Sequence, residues 1–76
     1  MMTYPELFRA HIVYSLEHPE QRKGQALFNY LHENKQTRAF ANEIRGTKLD
    51  PFYNDSVIGD VLAKLCIRMI KAEESA

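Results

Sequence analysis

Apolar residues recur along this chain at helical spacing, with no sustained alternation of the strand type. Phe8, Ile12 and Leu16 fall four apart and are flanked by Leu7 and Val13, which marks one face of an amphipathic helix. Thr3-Tyr4-Pro5-Glu6 has the form of a capping box, with Thr3 as N-cap and Glu6 at the third helical position. Pro5 is tolerated because first-turn N–H groups have no intrahelical acceptor. The residue before Pro19 is pushed out of the α region, so this helix is predicted over 3–17. A second helix is predicted over 20–33, with Pro19 at its start and Gly24, Leu27, Phe28 and Leu31 on one face. A third, over 37–45, turns Phe40, Ala41 and Ile44 inward. Asn34 or Thr37 can cap it, and Gly46 sits at the C′ position, where left-handed backbone is needed. The last helix is predicted over 56–73, capped by Asp55 or Ser56. Ile58, Val61, Leu62, Leu65 and Met69 form its core stripe, and residues 73–76 are expected to fray.

The segment between the third and fourth helices is the one long stretch that cannot be helix. Asp50-Pro51-Phe52-Tyr53 has the residues of a type I turn, with aspartate first and proline second. Phe52 is expected to be buried as a plug in the helical core, and Asp50 to hydrogen-bond within its own turn. Gly24 on an apolar helix face is best explained by close approach of another helix or of this loop. The fold class is therefore all-α, a small bundle of three to four helices with an ordered loop at 46–55 before a long C-terminal helix.

Composition narrows the picture. Seventy-six residues with 45% apolar content suit one small domain with one core. A lone Cys66 excludes an internal disulfide, which fits a reducing cytoplasm. The N-terminus lacks a basic region followed by an apolar run, so no signal peptide is expected. No segment approaches the roughly 20 apolar residues of a membrane span. The formal net charge is zero, but residues 22–48 carry six cations (Arg22, Lys23, Lys35, Arg38, Arg45 and Lys48) against Glu33 and Glu43. Acidic ends flank that basic middle. Such a distribution suits a protein partner better than nucleic acid, which needs clustered cations without opposing acids.

Candidate chemistry is sparse. His11 and His18 would stand roughly 10.5 Å apart on one helix at 1.5 Å per residue, too far to share a metal. His32-Glu33-Asn34-Lys35-Gln36 begins like a zinc-binding helix but has glutamine where the second histidine is required. Cys66 lies mid-helix beside the apolar stripe, where a thiol stays protonated. No catalytic residue, cofactor site or metal site is expected. Arg22, Gln25, Asn29 and His32 form a polar line on the second helix. It reads as an internal network in which Gln25 and Asn29 satisfy backbone groups of the 46–53 loop. Alternatively it is a recognition strip, with Arg22, Arg38 and Arg45 meeting an acidic partner surface.

Two segments carry a resemblance. Arg22-Lys23-Gly24-Gln25-Ala26-Leu27-Phe28-Asn29-Tyr30-Leu31 and Ile44-Arg45-Gly46-Thr47-Lys48-Leu49-Asp50-Pro51-Phe52-Tyr53 together resemble small proteins of tailed bacteriophages and prophages. Those proteins pair an R-x-G-Q-x-x-F-N-x-L segment with an I-R-G-T-x-x-D-P-F-Y segment. The resemblance spans residues 22–53. It implies a phage origin and the host cytoplasm, with no reaction and no catalytic residues.

The functional expectation is a non-enzymatic accessory protein that binds and modulates a host protein. The alternatives are a nucleic-acid-associated protein using the basic 22–48 segment and a self-assembling structural protein. Ala63, Ile67 and Ile70 remain on a second strip of the last helix after its core side is filled. That strip is a candidate homodimer contact, in which antiparallel pairing would bring Asp60 of one chain near Lys71 of the other.

Overall fold

A computed structural model describes residues 1–75. Its α-helices are α1 (Tyr4–Glu17), α2 (Lys23–Glu33), α3 (Arg38–Ile44) and α4 (Ile58–Ser75), and a 3-10 turn at Asp55–Val57 leads into α4. The described residues contain no strand. The core lies between α2, α3 and α4. Leu27, Phe28 and Leu31 come from the first, Phe40, Ala41 and Ile44 from the second, and Val61 and Leu65 from the third.

The first helix begins as expected. Thr3 Oγ1 accepts from the Glu6 N–H at 3.4 Å, and Glu6 Oε1 accepts from the Thr3 N–H at 2.9 Å. These bonds hold the Glu6 carboxyl below the usual range. The second helix begins at Lys23, three residues later than predicted. His18 and Pro19 open a turn closed by Gln21 N–H donating to the His18 carbonyl at 3.0 Å. Arg22 is then extended at the N-cap position. Helix starts here because an acceptor arrives from elsewhere in the chain: Asp55 Oδ1 accepts from the Gly24 N–H at 2.9 Å. Asp55 therefore caps α2 from a distance, and not α4 as expected. Asn54 takes the nearer role, its Oδ1 accepting from Ser56 N–H at 3.0 Å.

The junction from α2 to α3 is closed by side chains. Thr37 occupies the expected N-cap position, but its buried hydroxyl turns back and donates to the Leu31 carbonyl at 2.7 Å. Arg38 donates to the His32 and Glu33 carbonyls at 2.9 and 3.2 Å. The last carbonyls of α2, which have no helical partner, are satisfied by these two neighbours. Gly46 has φ +74° and ends α3 as expected. Its N–H donates to Asp50 Oδ2 at 2.7 Å, while Asp50 Oδ1 accepts from Phe52 N–H at 2.9 Å. One carboxylate thus closes both ends of the loop, as expected for Asp50. The backbone turn is one residue further along, from Asn54 N–H to the Pro51 carbonyl at 3.2 Å.

The plug itself is a correction. Pro51 is the loop's fully buried residue, whereas Phe52 is half-buried. Phe52 packs edge-on to Phe28 at 5.9 Å between centroids and to the exposed Tyr53 at 4.7 Å. A rigid ring with no N–H fits a buried loop position without leaving a donor unpaired. The polar line on α2 is also arranged differently. Gln25 Oε1 accepts from the Arg22 N–H at 3.4 Å and Asn29 donates to Gln21 at 3.1 Å. It is Arg22 that reaches the loop, donating to the Phe52 carbonyl. At the C-terminus α4 continues to Ser75, whose hydroxyl donates to the Lys71 carbonyl, so residues 73–75 are helical. Ala76 lies outside the described residues.

Gly24 has the close approach expected of it. A Cβ built there would collide with the Pro51 carbonyl oxygen and stand 2.7 Å from Asp55 Oδ1. Gly24→Ala should therefore destabilise the protein by ~1–3 kcal/mol, the usual range for overpacking. At an uncrowded helix position the same change would be favourable by ~1 kcal/mol. Urea unfolding of the two proteins checks the sign. Phe52→Ala should cost less than the ~3–5 kcal/mol of a fully buried phenylalanine.

Candidate functional site

The expected apolar stripe of α1 does not face the core. Leu7 is buried, but Phe8 is 38% exposed and Leu16 76% exposed, with Ile12 and Val13 also open to solvent. A second stripe wins the inward position: Tyr4, Leu7, His11, Tyr14 and His18, at spacings of three and four. Aromatic packing accounts for the choice. Tyr14 lies 5.9 Å from Tyr30 of α2 and stacks on His18 at 4.0 Å. Tyr and His bury a flat ring while keeping a polar edge at the rim. The signal was present in the sequence as this heptad-like run, which mixes polar and apolar residues.

The displaced stripe borders α4. Burial and the Cys66 thiol nearby push the Tyr4 hydroxyl pKa up. Ile12, Leu16 and Ile58 line one groove of about 310 Å³ together with His11, Ser15 and Lys23. The helices α1 and α4 therefore flank one groove, with Ile12 and Leu16 on the α1 side and Ile58 on the α4 side. Ala63, Ile67 and Ile70 lie on the outer side of α4, all exposed, with Ile67 at 54%. The α4 strip anticipated from sequence is thus exposed, and α1 carries an unanticipated exposed apolar strip of its own.

The three arginines of the predicted recognition strip are each engaged within the chain. Arg22 pairs with Asp55 at 3.4 Å and holds the Phe52 carbonyl. Arg38 closes the end of α2. Arg45 lies over the Phe28 ring at 5.6 Å. Arg22 and Arg45 border the 46–53 loop, and Arg38 stands at the other end of α2, so the structure does not gather the three. A shallower cavity of about 390 Å³ is framed by Phe28, His32, Arg45, Asp50, Phe52 and Tyr53. On the opposite flank Arg68 makes a two-pronged pair with Glu43, lies over Phe40 at 5.2 Å, and holds the Glu43 carboxyl low.

Among the described residues, no group of three or more His, Cys, Asp or Glu side chains could hold a metal ion. Nor is any described helix long and apolar enough to cross a membrane. His18 and His32 are stacked on Tyr14 and Phe28. His11 differs: it lines the α1–α4 groove, and its buried Nδ1 has no partner among the described residues. No family model, curated protein or solved structure matches the chain.

Burial lowers the His11 pKa, with the Phe8 carbonyl nearby opposing in part. A histidine whose folded pKa is depressed binds its proton more readily when unfolded, so stability falls as pH drops below the ordinary imidazole value of about 6.5. The loss grows until the lower folded pKa is reached. Thermal midpoints between pH 7 and 5 should show this decline, and His11→Gln should flatten it. Glu6 and Glu43, whose pKa values are lowered, lose their contributions in a separate, more acidic window.

Proposed function

We propose that this is a non-enzymatic, phage-type accessory protein that acts by binding another protein through the exposed apolar surface of α1 and α4, its target being a protein of the host cytoplasm. The observation that carries the reading is the exposed stripe Phe8, Ile12 and Leu16 on α1, with Ile67 and Ile70 also exposed on α4. Isolated surface hydrophobes are ordinary, but a row of large exposed apolar side chains along one helix marks an interaction surface. The resemblance of residues 22–53 to tailed-phage proteins supports the accessory role and the host setting. The open, shallow cavities and the arginines already engaged with carbonyls and an aromatic ring favour binding over catalysis.

Nucleic-acid association through residues 22–48 is the competing reading. It is weakened because Arg22 and Arg38 spend their donors on backbone carbonyls. Capture from host lysate at low and high salt separates the two. A protein partner held by apolar contact should survive high salt. Leu16→Glu with Ile67→Glu should abolish capture, since each buried aliphatic side chain is worth ~1.5–3 kcal/mol and every 1.4 kcal/mol is tenfold in affinity. Both positions are more than half exposed, so the thermal midpoint should hardly move. Recovery of nucleic acid alone, released at high salt, would overturn the proposal.

A further inference from the structure

We propose that the cavity between α2, the end of α3 and the 46–53 loop is a second binding site, which takes a protein segment presenting a carboxylate next to an apolar side chain. It is separate from the exposed stripe of α1, since no residue of α1 lines it. The segments 22–31 and 44–53 meet here: Phe28 comes from the first, and Arg45, Asp50, Phe52 and Tyr53 from the second. The cavity volume of about 390 Å³ falls within the ~300–1,000 Å³ of ligand pockets.

Arg45 supplies the polar half of the site. Its guanidinium carbon lies over the Phe28 ring at 5.6 Å, so the ring holds one face of the planar fork. The side chain is in no ion pair among the described residues, and its guanidinium N–H groups have no acceptor among them. A guanidinium stacked by its face keeps its donors on its edge, where they match the two oxygens of a carboxylate. Asp50, the acid that lines the cavity, does not compete for them. Its two oxygens accept from the Gly46 and Phe52 N–H groups at 2.7 and 2.9 Å. His32 lines the same cavity, its ring stacked on Phe28 at 6.0 Å, and adds an imidazole edge.

Rings make the apolar half. Phe52 is half-buried and Tyr53 is 81% exposed, and the two pack edge-on at 4.7 Å. Tyrosine and arginine are among the side chains that carry most of the energy at protein interfaces. The wall is also pre-formed. The Phe52 N–H is held by Asp50 and its carbonyl by Arg22, so little ordering cost remains on binding. A nucleic-acid strand fits less well. It brings a phosphate at every nucleotide and needs several free cations, whereas Arg22, the other arginine beside this loop, is bound to Asp55 and the Phe52 carbonyl.

Heteronuclear NMR titration of the full chain tests the proposal with two capped tetrapeptides, one carrying aspartate before phenylalanine and the other the reverse order. At least one should shift the Arg45 side-chain, His32 and Tyr53 resonances saturably. Its Kd should be on the order of 1 mM, as expected of a contact this small. Replacing the peptide's aspartate by asparagine, or its phenylalanine by alanine, should weaken binding about tenfold. Arg45→Gln should do the same from the protein side, and Arg45→Lys should recover little of the loss, since an ammonium lacks the planar fork. Tyr53→Ala should weaken binding about fivefold. That side chain is exposed, so the thermal midpoint should not move and the loss is not one of folding. Leu16→Glu with Ile67→Glu should leave peptide binding unchanged, which keeps this site distinct from the apolar surface of α1 and α4. No saturable shift with either peptide at about 10 mM, ten times the expected Kd, overturns the proposal. So does binding that is unchanged with the asparagine peptide or in Arg45→Gln. Tighter binding of an oligothymidylate at the same residues, lost at high salt, overturns it in favour of nucleic acid.

Discussion

The absence of a side chain at Gly24 is the constraint on which the rest of the fold depends. It lets the Pro51 carbonyl and the Asp55 carboxylate rest directly on the first turn of α2. The carboxylate satisfies an N–H that no residue of α2 could satisfy, and its charge complements the positive end of the helix. The same carboxylate pairs with Arg22, which in turn holds the Phe52 carbonyl. Arg22 and Gly24 on one side and Asp55, distant in sequence, on the other thereby order a loop that makes no helical bonds of its own. The cost of ordering that loop is offset locally by bonds from Gly46 and Phe52 to Asp50.

Once the loop is seated, the start of α4 is fixed. Asn54 caps the 3-10 turn, α4 leaves it at Ile58, and Val61 and Leu65 enter the core beside Leu27 and Ile44. The α3 helix is too short to be stable alone. It is held by Thr37 and Arg38 at its start and by the Arg68–Glu43 pair along its side. The chain is therefore braced through helix termini more than through long interhelical seams. A small domain has little interior to rely on, and buried backbone groups at helix ends must be paired in any case.

What was legible in the sequence follows from this division. The helices, the capping box at Thr3, the left-handed Gly46, the close approach at Gly24 and the Asp50 turn all express local rules, and each was readable. The misreadings at Asp55, Phe52 and α1 are long-range. Asp55 had a plausible local duty at α4, but it caps α2 across the fold. Phe52 had the size of a plug, yet Pro51 takes the buried place, where a ring with no N–H leaves no donor unpaired. On α1 the apolar stripe Phe8, Ile12 and Leu16 reads as the core face, and the Tyr4–His18 stripe won because Tyr30 of α2 presents a ring to Tyr14. None of these outcomes could be decided by periodicity on a single helix, since each depends on what a distant segment offers. The candidate surface was half visible for the same reason: Ala63, Ile67 and Ile70 exceeded what α4 needed, while Phe8, Ile12 and Leu16 looked already used.

That reversal on α1 also explains why its exposed stripe exists. An amphipathic helix with two competing stripes can bury only one against a single neighbour. Here the inward stripe is the more polar one, and the wholly apolar stripe Phe8, Ile12 and Leu16 is turned out. A monomer free to choose would bury Phe8, Ile12 and Leu16 and leave the half-polar Tyr and His residues to water. The opposite choice is favourable only where the aromatic packing with α2 outweighs the exposed aliphatic area, or where that area is covered in turn. The orphaned Nδ1 of His11, in the groove between α1 and the start of α4, points the same way. The inner stripe carries a polar cost that the outer stripe would not have carried, so the arrangement is most favourable when both stripes of α1 are in contact with protein.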